Sequence, residues 1–512
     1  MVVTSLVALI PLKTGQEHNL TRITREFDIN SERESRHLSF RLNDGVDTRA
    51  GAVAIQSFFA HLLNNMPRDN AGFFKRIMRL LQTGYQEIES VQLEMKQLTE
   101  QESIPLPDTS LFHANDEVSA PRVQEELEHA FPNGLNIAAL AKRLSSSEET
   151  IEQYLLKLEA EGIVERMGEE WLRRDLRNVD GILATHRDHQ TSGQANAPTI
   201  AIITHLFSEK QAIDAIIEEP QVIHRYKSGG DSNAFTIGRI GNHRVVAAKL
   251  AVIGDSREAA TSAGGITTRL LGYFQHIEHV FVVGVGGAVP QFVDPKLHAR
   301  LGDVIVSADR PTAAYVFAHE TIIDPYTEEI VGFSTHKHNP VDASIANIVE
   351  NGGEELHKNW ERNTSEAVRK LKDQAQNETD FTKPPADTDV LMLHVGGGSV
   401  VVVPHSNQQR QSSLYHLGSI GGLTSKTSVK AGDVDESTSL LRDRFAAEFN
   451  VRALDAGVDS VVASIEGSRI DSWALIRGVA DYQNGYSKTA KLWQPYAAAR
   501  AAAMAQTIIE RL

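Results

Sequence analysis

Beyond Pro198 the chain alternates short apolar runs with amphipathic stretches, and this alternation restricts the fold more than any other feature. Apolar runs at 199–203, 245–252 and 280–285 are separated by helical patterns starting near 209 and spanning 258–274. Strands that read as continuous apolar runs are buried on both faces, so helices must cover both sides of the sheet. The pattern predicts an α/β fold with a mixed central sheet flanked by helices. Near the C-terminus the run Trp473, Ala474, Leu475, Ile476 leads through Arg477 and Gly478 to Asp481, and an Ala-rich tail from Tyr496 to Leu512 reads as a closing helix. A carboxylate at the C-terminal end of a buried strand sits where such sheets bind ligands.

The chain has 512 residues, enough for about three units. Residues 1–110 are expected to form a mainly helical region. A strand-like start at 2–12 gives way to Ala52, Val53, Ile55, Phe58, Phe59, Leu62 and Leu63 at helical spacing, and a second helix is expected over 71–98. A Pro- and Asn-containing stretch at 101–121 reads as a linker. Residues 121–177 give helix, helix and two short strands: a helix over 135–144, then one capped by Ser147 with Ile151, Tyr154, Leu155 and Leu158 as its buried stripe, ended by Gly162. This order resembles a winged helix-turn-helix. Its second helix carries Glu148, Glu149, Glu152, Glu159 and Glu161 against Lys157 alone, so protein interaction is expected of it in preference to DNA reading. A polar linker at 178–197 holds His186 and His189, which read as solvated and not as metal ligands. Residues 198–512 form the third unit, with an insertion at about 351–388, helical and then loose, placed to lid the site or meet a partner subunit.

A net charge of −16 argues against a general nucleic-acid or anionic-membrane surface. The absence of cysteine excludes disulfides, thiolate metal sites and a cysteine nucleophile. The apolar start lacks a basic leader and is too short to span a bilayer, so cytoplasm is the expected compartment. No motif calls for a cofactor or a metal.

Three strand-end segments carry candidate chemistry. Glu209 lies at the junction of a strand and a helix, where it also suits the helix dipole. Gly284, Gly286 and Gly287 in the run VGVGGAVP are read as letting backbone amides approach a ligand closely. Asp481 is the third. In order, the strand before Glu209, VGVGG, LGDVIVS (301–307), HLGSI (416–420), RGVADY (477–482) and WQPYAAA (493–499) resemble the purine nucleoside phosphorylase and nucleosidase superfamily, in particular its methylthioadenosine/S-adenosylhomocysteine nucleosidase and AMP nucleosidase branch.

That resemblance implies a hydrolase acting on the base–ribose bond of a purine nucleoside or nucleotide, with adenine favoured as the base. Asp481 matches the acid at purine N7, and Glu209 matches the base that activates water. A carboxylate at Glu209 repels a phosphate nucleophile, so hydrolysis is expected over phosphorolysis. Where the family has Glu-Met-Glu this chain has Leu454 to Asp459. Asp459 is placed on the ribose hydroxyls and Val458 in the apolar role, with Asp455 as the alternative. Gly254 and Arg257 lie at the sugar-side loop. If Arg257 faces the ligand, a nucleotide such as AMP or ATP fits; if it pairs with Asp255, a neutral nucleoside does. Arg477 is read as the partner of a buried carboxylate. The family also implies a homo-oligomer. The alternatives are an AMP or ATP nucleosidase that depletes nucleotide pools, and a purine-sensing regulator without turnover.

Overall fold

The computed structural model describes residues 118–174, 197–225, 232–251, 257–291, 295–309, 312–323, 330–374, 379–394, 400–403, 405, 410, 412–424 and 434–512, together with 4–8, 18–26, 33–43, 46, 54, 58, 61–62 and 70–98. All structural statements below concern these residues. Their buried apolar side chains gather into three main cores, one each for the N-terminal region, the small module and the large C-terminal unit.

The N-terminal region is richer in strand than the sequence reading expects. Strands β1 (Thr4–Ala8), β2 (His18–Glu26), β3 (Arg33–Leu42) and β4 (Ile88–Leu98) form a sheet, with helix α1 (Asn70–Thr83) beside it. The helix expected over 71–98 therefore stops at Thr83. Past Gly84 the apolar residues Val91, Leu93 and Met95 recur every second position, a strand period that two-face pairing with β3 exploits. The helix expected around 52–63 falls largely outside the described residues, although Phe58 and Leu62 of its stripe are buried.

The small module comprises α2 (Ala120–Ala130), α3 (Ile137–Leu144), α4 (Glu148–Ala160) and the hairpin β5 (Val164–Met167) and β6 (Glu170–Arg173). The Asn136 side chain caps α3 by accepting from the Ala139 amide, and Ser147 caps α4 by accepting from the Thr150 amide at 3.2 Å. Gly162, at φ +76°, ends α4 in a conformation that suits glycine. Ile151, Leu155 and Leu158 are buried in the module's core, while Glu148, Glu149, Glu152 and Glu159 are exposed.

The C-terminal unit is a large mixed sheet between helices. Strands β7 (Ile200–Thr204), β10 (His243–Lys249), β11 (His279–Ala288) and β20 (Ser472–Asp481) run parallel: β11 pairs with both β7 and β20, and β10 lies outside β7. Their C-terminal ends share one edge. On the far side of β11 the antiparallel β19 (Ala453–Asp455) adds the loop that follows it. Strands β15 (Leu391–His394) and β16 (Val400–Val403) pair antiparallel, and β16 joins β1, carrying the N-terminal sheet onto this unit.

The closing helix α11 (Gln494–Ile509) is buried along nearly its whole length against β11 and β20. Its alanines permit that close approach. The expected insertion does not stand apart as a lid. Its helix α8 (Gly353–Gln374) packs on α11, with the Trp360 indole N–H donating to the Arg500 carbonyl at 3.0 Å and the Arg500 guanidinium 3.6 Å from the Trp360 ring centre. Trp360, Leu356 and Leu371 belong to the main core, so this segment supports the fold from outside.

Candidate active site

Glu209 is the third residue of helix α5 (Phe207–Ile216), which starts directly beyond β7. Its carboxylate folds back over the helix start: Oε2 accepts from the His205 and Leu206 amides at 2.8 Å each, and Oε1 accepts from the Val285 amide on β11 at 2.7 Å. A carboxylate offers about four acceptor positions, so one stays free. Burial pushes the Glu209 carboxyl above its ordinary range, against the opposing pull of the three amides and the Arg477 charge.

Asp481 ends β20 in a parallel arrangement. Its Oδ1 accepts from the amides of Gln483 at 2.8 Å and Gly485 at 2.7 Å, and Oδ2 accepts from the Ser487 amide at 3.1 Å. Three amides again hold a buried carboxylate, this time curling the loop after the strand around it. That loop brings Tyr486 to the site, where its hydroxyl lies 3.1 Å from His205 Nδ1.

The glycines have a different task from the one the sequence reading assigns. Gly286 and Gly287 lie inside β11, buried, and do not form a ligand-cradling loop. A Cβ on Gly284 would stand 2.5 Å from Glu209 Oε1, and a Cβ on Gly287 would stand 2.5 Å from Asp481 Oδ1 and 2.3 Å from the Gln483 backbone. On Gly286 it would meet the Leu454 carbonyl and the Arg477 side chain. The glycines clear space for the two carboxylates and the Asp481 loop. The expected contact of Gly286 and Gly287 with a substrate belongs to the function proposed below.

A small pocket, with a cavity volume of about 10 Å³, opens at the C-terminal ends of β7, β10 and β11. Glu209, His205, Asp455, Arg477 and Tyr486 supply its polar wall, and Leu250, Val283 and Val458 are among its apolar lining. It therefore gathers Glu209 and Val458 from the expected set. Asp481 does not line it; its carboxylate is turned into the neighbouring loop. Gly254 lies outside the described residues. Arg257 opens helix α6 (Arg257–Tyr273), and its side chain lies outside them as well.

Asp459 is not in the pocket. It begins helix α10 (Asp459–Gly467), and its carboxylate faces His336 and His338 on strand β14 (Ile330–His338). Asp455, the alternative, occupies the pocket wall. The reason is the turn between them: Asp455 ends β19, the chain then swings through Gly457 at φ +93°, and the helix carries Asp459 to the other side. Arg477 donates from Nε and Nη2 to Asp455 Oδ2 at 3.2 and 2.9 Å and from Nη1 to the Val282 carbonyl. Tyr315 donates to Asp455 Oδ1 at 3.1 Å and accepts from the Val458 amide. Arg477 thus pairs with a buried carboxylate, as read from the sequence, and that carboxylate is Asp455. The rule that singles out Asp481, an acid at a buried strand's C-terminal end, also singles out Asp455.

Lys249 went unread in the sequence. At the end of β10, its Nζ donates to the carbonyls of Phe131 at 2.9 Å, Leu250 at 3.0 Å and His129 at 3.3 Å. Two of those belong to the end of the small module's first helix. Burial pulls Lys249 down to about 7, and burial together with the Lys249 charge holds His205 well below the ordinary imidazole range. The module also rests Phe131 edge-on against Phe207, 5.5 Å between ring centres, on the turn that carries Glu209.

Comparison with known proteins adds three findings. Residues 110–175 match a family described as a winged helix-turn-helix domain. The small module has a winged-helix fold. A curated relative from Hyaloscypha variabilis, described as a nucleotide-binding leucine-rich repeat (NLR)-like protein, is 26% identical over 290 residues, 54% of this chain; the chain spans about a quarter (26%) of that relative's length. Among solved structures, the 5'-methylthioadenosine/S-adenosylhomocysteine nucleosidase of Neisseria meningitidis in complex with methylthio-immucillin-A is 14% identical, with a TM-score of 0.34 over 61% of this chain and 99% of that one. Futalosine hydrolase of Helicobacter pylori is 13% identical, with a TM-score of 0.37 over 62% and 99%.

Proposed function

We propose that the C-terminal unit is an N-glycosyl hydrolase acting on a purine nucleoside or nucleotide. The observation that carries this reading is Glu209: a buried carboxylate with a raised pKa, fixed by three amides and lining a closed-in pocket. Its remaining acceptor position suits a water molecule. A base whose pKa rises toward the working pH is a better general base, a contribution typically worth about 10² to 10⁴ in rate. In the proposed reaction that water adds to the anomeric carbon, its proton passes to Glu209, and the C–N bond breaks with the electron pair going to the base. The departing purine takes up one proton from solvent while the proton on Glu209 returns to solvent, so that water and nucleoside give free base and ribose, and Asp481 is the group proposed to receive N7. Asp455, held by Arg477 and Tyr315, is the carboxylate proposed to meet the sugar in place of Asp459.

The test is release of free adenine by the purified chain from AMP, ATP, adenosine and methylthioadenosine, compared side by side. Glu209→Gln and Asp481→Asn are expected to lower release by at least about 10². Unchanged release in both variants sinks the residue assignment. Preference for the nucleotides assigns a phosphate to the Gly254–Arg257 side. A homo-oligomer is part of the proposal, with sedimentation velocity as its check.

A second reading, a purine-responsive regulator without turnover, has its own support in the contact of Lys249 and Phe207 with the winged helix. The exposed glutamates of α4 favour a protein partner for it over nucleic acid. Among the described residues no helix is long and apolar enough to cross a membrane.

A further inference from the structure

We propose a divalent metal site of the zinc class formed by His336, His338 and Asp459, outside the pocket and independent of the hydrolase reading. His336 and His338 are two residues apart on β14 and so lie on the same face of the strand. Both rings address Asp459 on α10: His338 Nε2 is 2.9 Å from Oδ1, and His336 Nδ1 is 3.1 Å from Oδ2. Three ligand atoms from two separate elements thus converge on one point, within 4.8 Å of one another.

The deciding detail lies on the far side of His338. Its Nδ1 is 2.8 Å from Glu466 Oε2, seven residues along the same helix from Asp459. A neutral imidazole has one N–H and one lone pair. With that N–H turned toward Glu466, the Nε2 lone pair points at an Asp459 oxygen that has lone pairs only. Two acceptors at 2.9 Å need a cation between them, either a proton or a metal. The same arrangement, a carboxylate behind the non-ligating nitrogen, is how metal-binding histidines are generally oriented. It is built here from residues with no part in the pocket chemistry.

Four ligands at about 2.0 Å around tetrahedral zinc stand ~3.3 Å apart. The histidine–Asp459 separations of 2.9 to 3.2 Å fall within a few tenths of an ångström of that, and the two histidine ligand atoms lie within 4.8 Å of each other. Two imidazoles and one carboxylate select zinc-type cations over calcium or magnesium, which take oxygen ligands. His336 is exposed, leaving the fourth position to water. The metal would tie β14 to the first turn of α10, directly beyond Val458 in the pocket wall.

The experiment uses the tag-free full chain, stripped with EDTA and titrated with zinc chloride by calorimetry, with cobalt(II) as a spectroscopic probe. One equivalent of zinc is expected at a Kd on the order of 1 μM or tighter, with the intense visible absorption of a four-coordinate cobalt site. His336→Asn, at an exposed position, and Asp459→Asn are each expected to weaken binding at least tenfold while circular dichroism stays native. Glu466→Gln is expected to weaken it about 10-fold to 100-fold through His338. No saturable zinc binding in the parent chain, or an affinity unchanged in both His336→Asn and Asp459→Asn, overturns the site.

Discussion

The claim that Gly284 exists to make room for Glu209 has a sharp consequence. In Gly284→Ala the new methyl would meet Glu209 Oε1 at 2.5 Å, Cδ at 2.8 Å and Oε2 at 3.0 Å, and these are its three nearest neighbours. Real Cβ contacts are not that short, so the carboxylate must leave. Its exit breaks at least the Val285 contact, a hydrogen bond to a charged group worth about 1.5–3 kcal/mol, and overpacking of the buried site adds about 1–3 kcal/mol. The expected loss is about 2.5–6 kcal/mol. At about 2 °C per kcal/mol for a large unit, the calorimetric transition of the C-terminal unit falls by at least about 5 °C. The refuting measurement is a double-mutant cycle. In a Glu209→Ala background the methyl has no carboxylate to displace, so Gly284→Ala should then change stability by less than about 1 kcal/mol, giving a coupling of more than about 1 kcal/mol. An equal loss in both backgrounds refutes the account and assigns the cost of the substitution to the strand itself.

Other expectations follow the same geometry. Gly287→Ala should be worse than Gly284→Ala, because its methyl meets backbone at Gln483 and Asn484 that cannot swing aside; thermal unfolding ranks the two. Asp455→Asn leaves the Arg477 guanidinium buried without its carboxylate and should destabilise by about 3–5 kcal/mol, while Asp459→Asn, partly exposed and outside the pocket, should leave base release nearly unchanged and cost less stability in the EDTA-stripped chain; chemical denaturation and the adenine assay separate them. Lys249 sits near 7 in the folded chain against 10.5 for an exposed lysine. Between those values the unfolded chain binds the extra proton, so this group makes stability rise with pH from about 7 to about 10.5, and Lys249→Met should flatten that slope in a pH series of melting temperatures.

The parts of the fold legible in the sequence are those where neighbouring residues decide the outcome. Strands β7, β11 and β20 carry unbroken apolar runs (Ile200–Ile203, Val280–Val283 and Trp473–Ile476) because helices cover both faces, and no turn signal interrupts those runs. Ser147 and Gly162 mark the ends of α4 through local hydrogen bonding and local φ. What stayed illegible depends on distant partners. Residues 88–98 become strand by pairing with β3, and β1 reaches β16, whose partner residues Val401 and Val402 are nearly four hundred positions away. The choice between Asp455 and Asp459 turned on one glycine with positive φ, and the histidines that receive Asp459 arrive from another strand. Gly284 and Gly287 show a related limit: a glycine that admits a ligand and a glycine that admits a neighbouring side chain are identical in sequence.

The two carboxylates share a design that limits what the site can accept. Glu209 and Asp481 are anchored by three backbone amides each, donated from segments that are themselves paired or coiled, and neither can rotate without giving up several of these bonds. Fixed groups of this kind lose no orientational freedom when charge develops beside them, which is the basis of electrostatic pre-organisation. They also cannot follow a misplaced ligand. Under the proposed function a substrate would meet the one acceptor position left on Glu209, so discrimination would rest on that anchor and on the winged helix that braces its turn, while Asp481 holds the neighbouring loop that carries Tyr486. Loosening that brace at Phe131 should therefore alter selectivity among purine substrates before it alters the pocket's capacity to bind one, and the ratio of adenosine to AMP turnover in Phe131→Ala is the quantity to measure; a ratio equal to that of the parent chain defeats the argument.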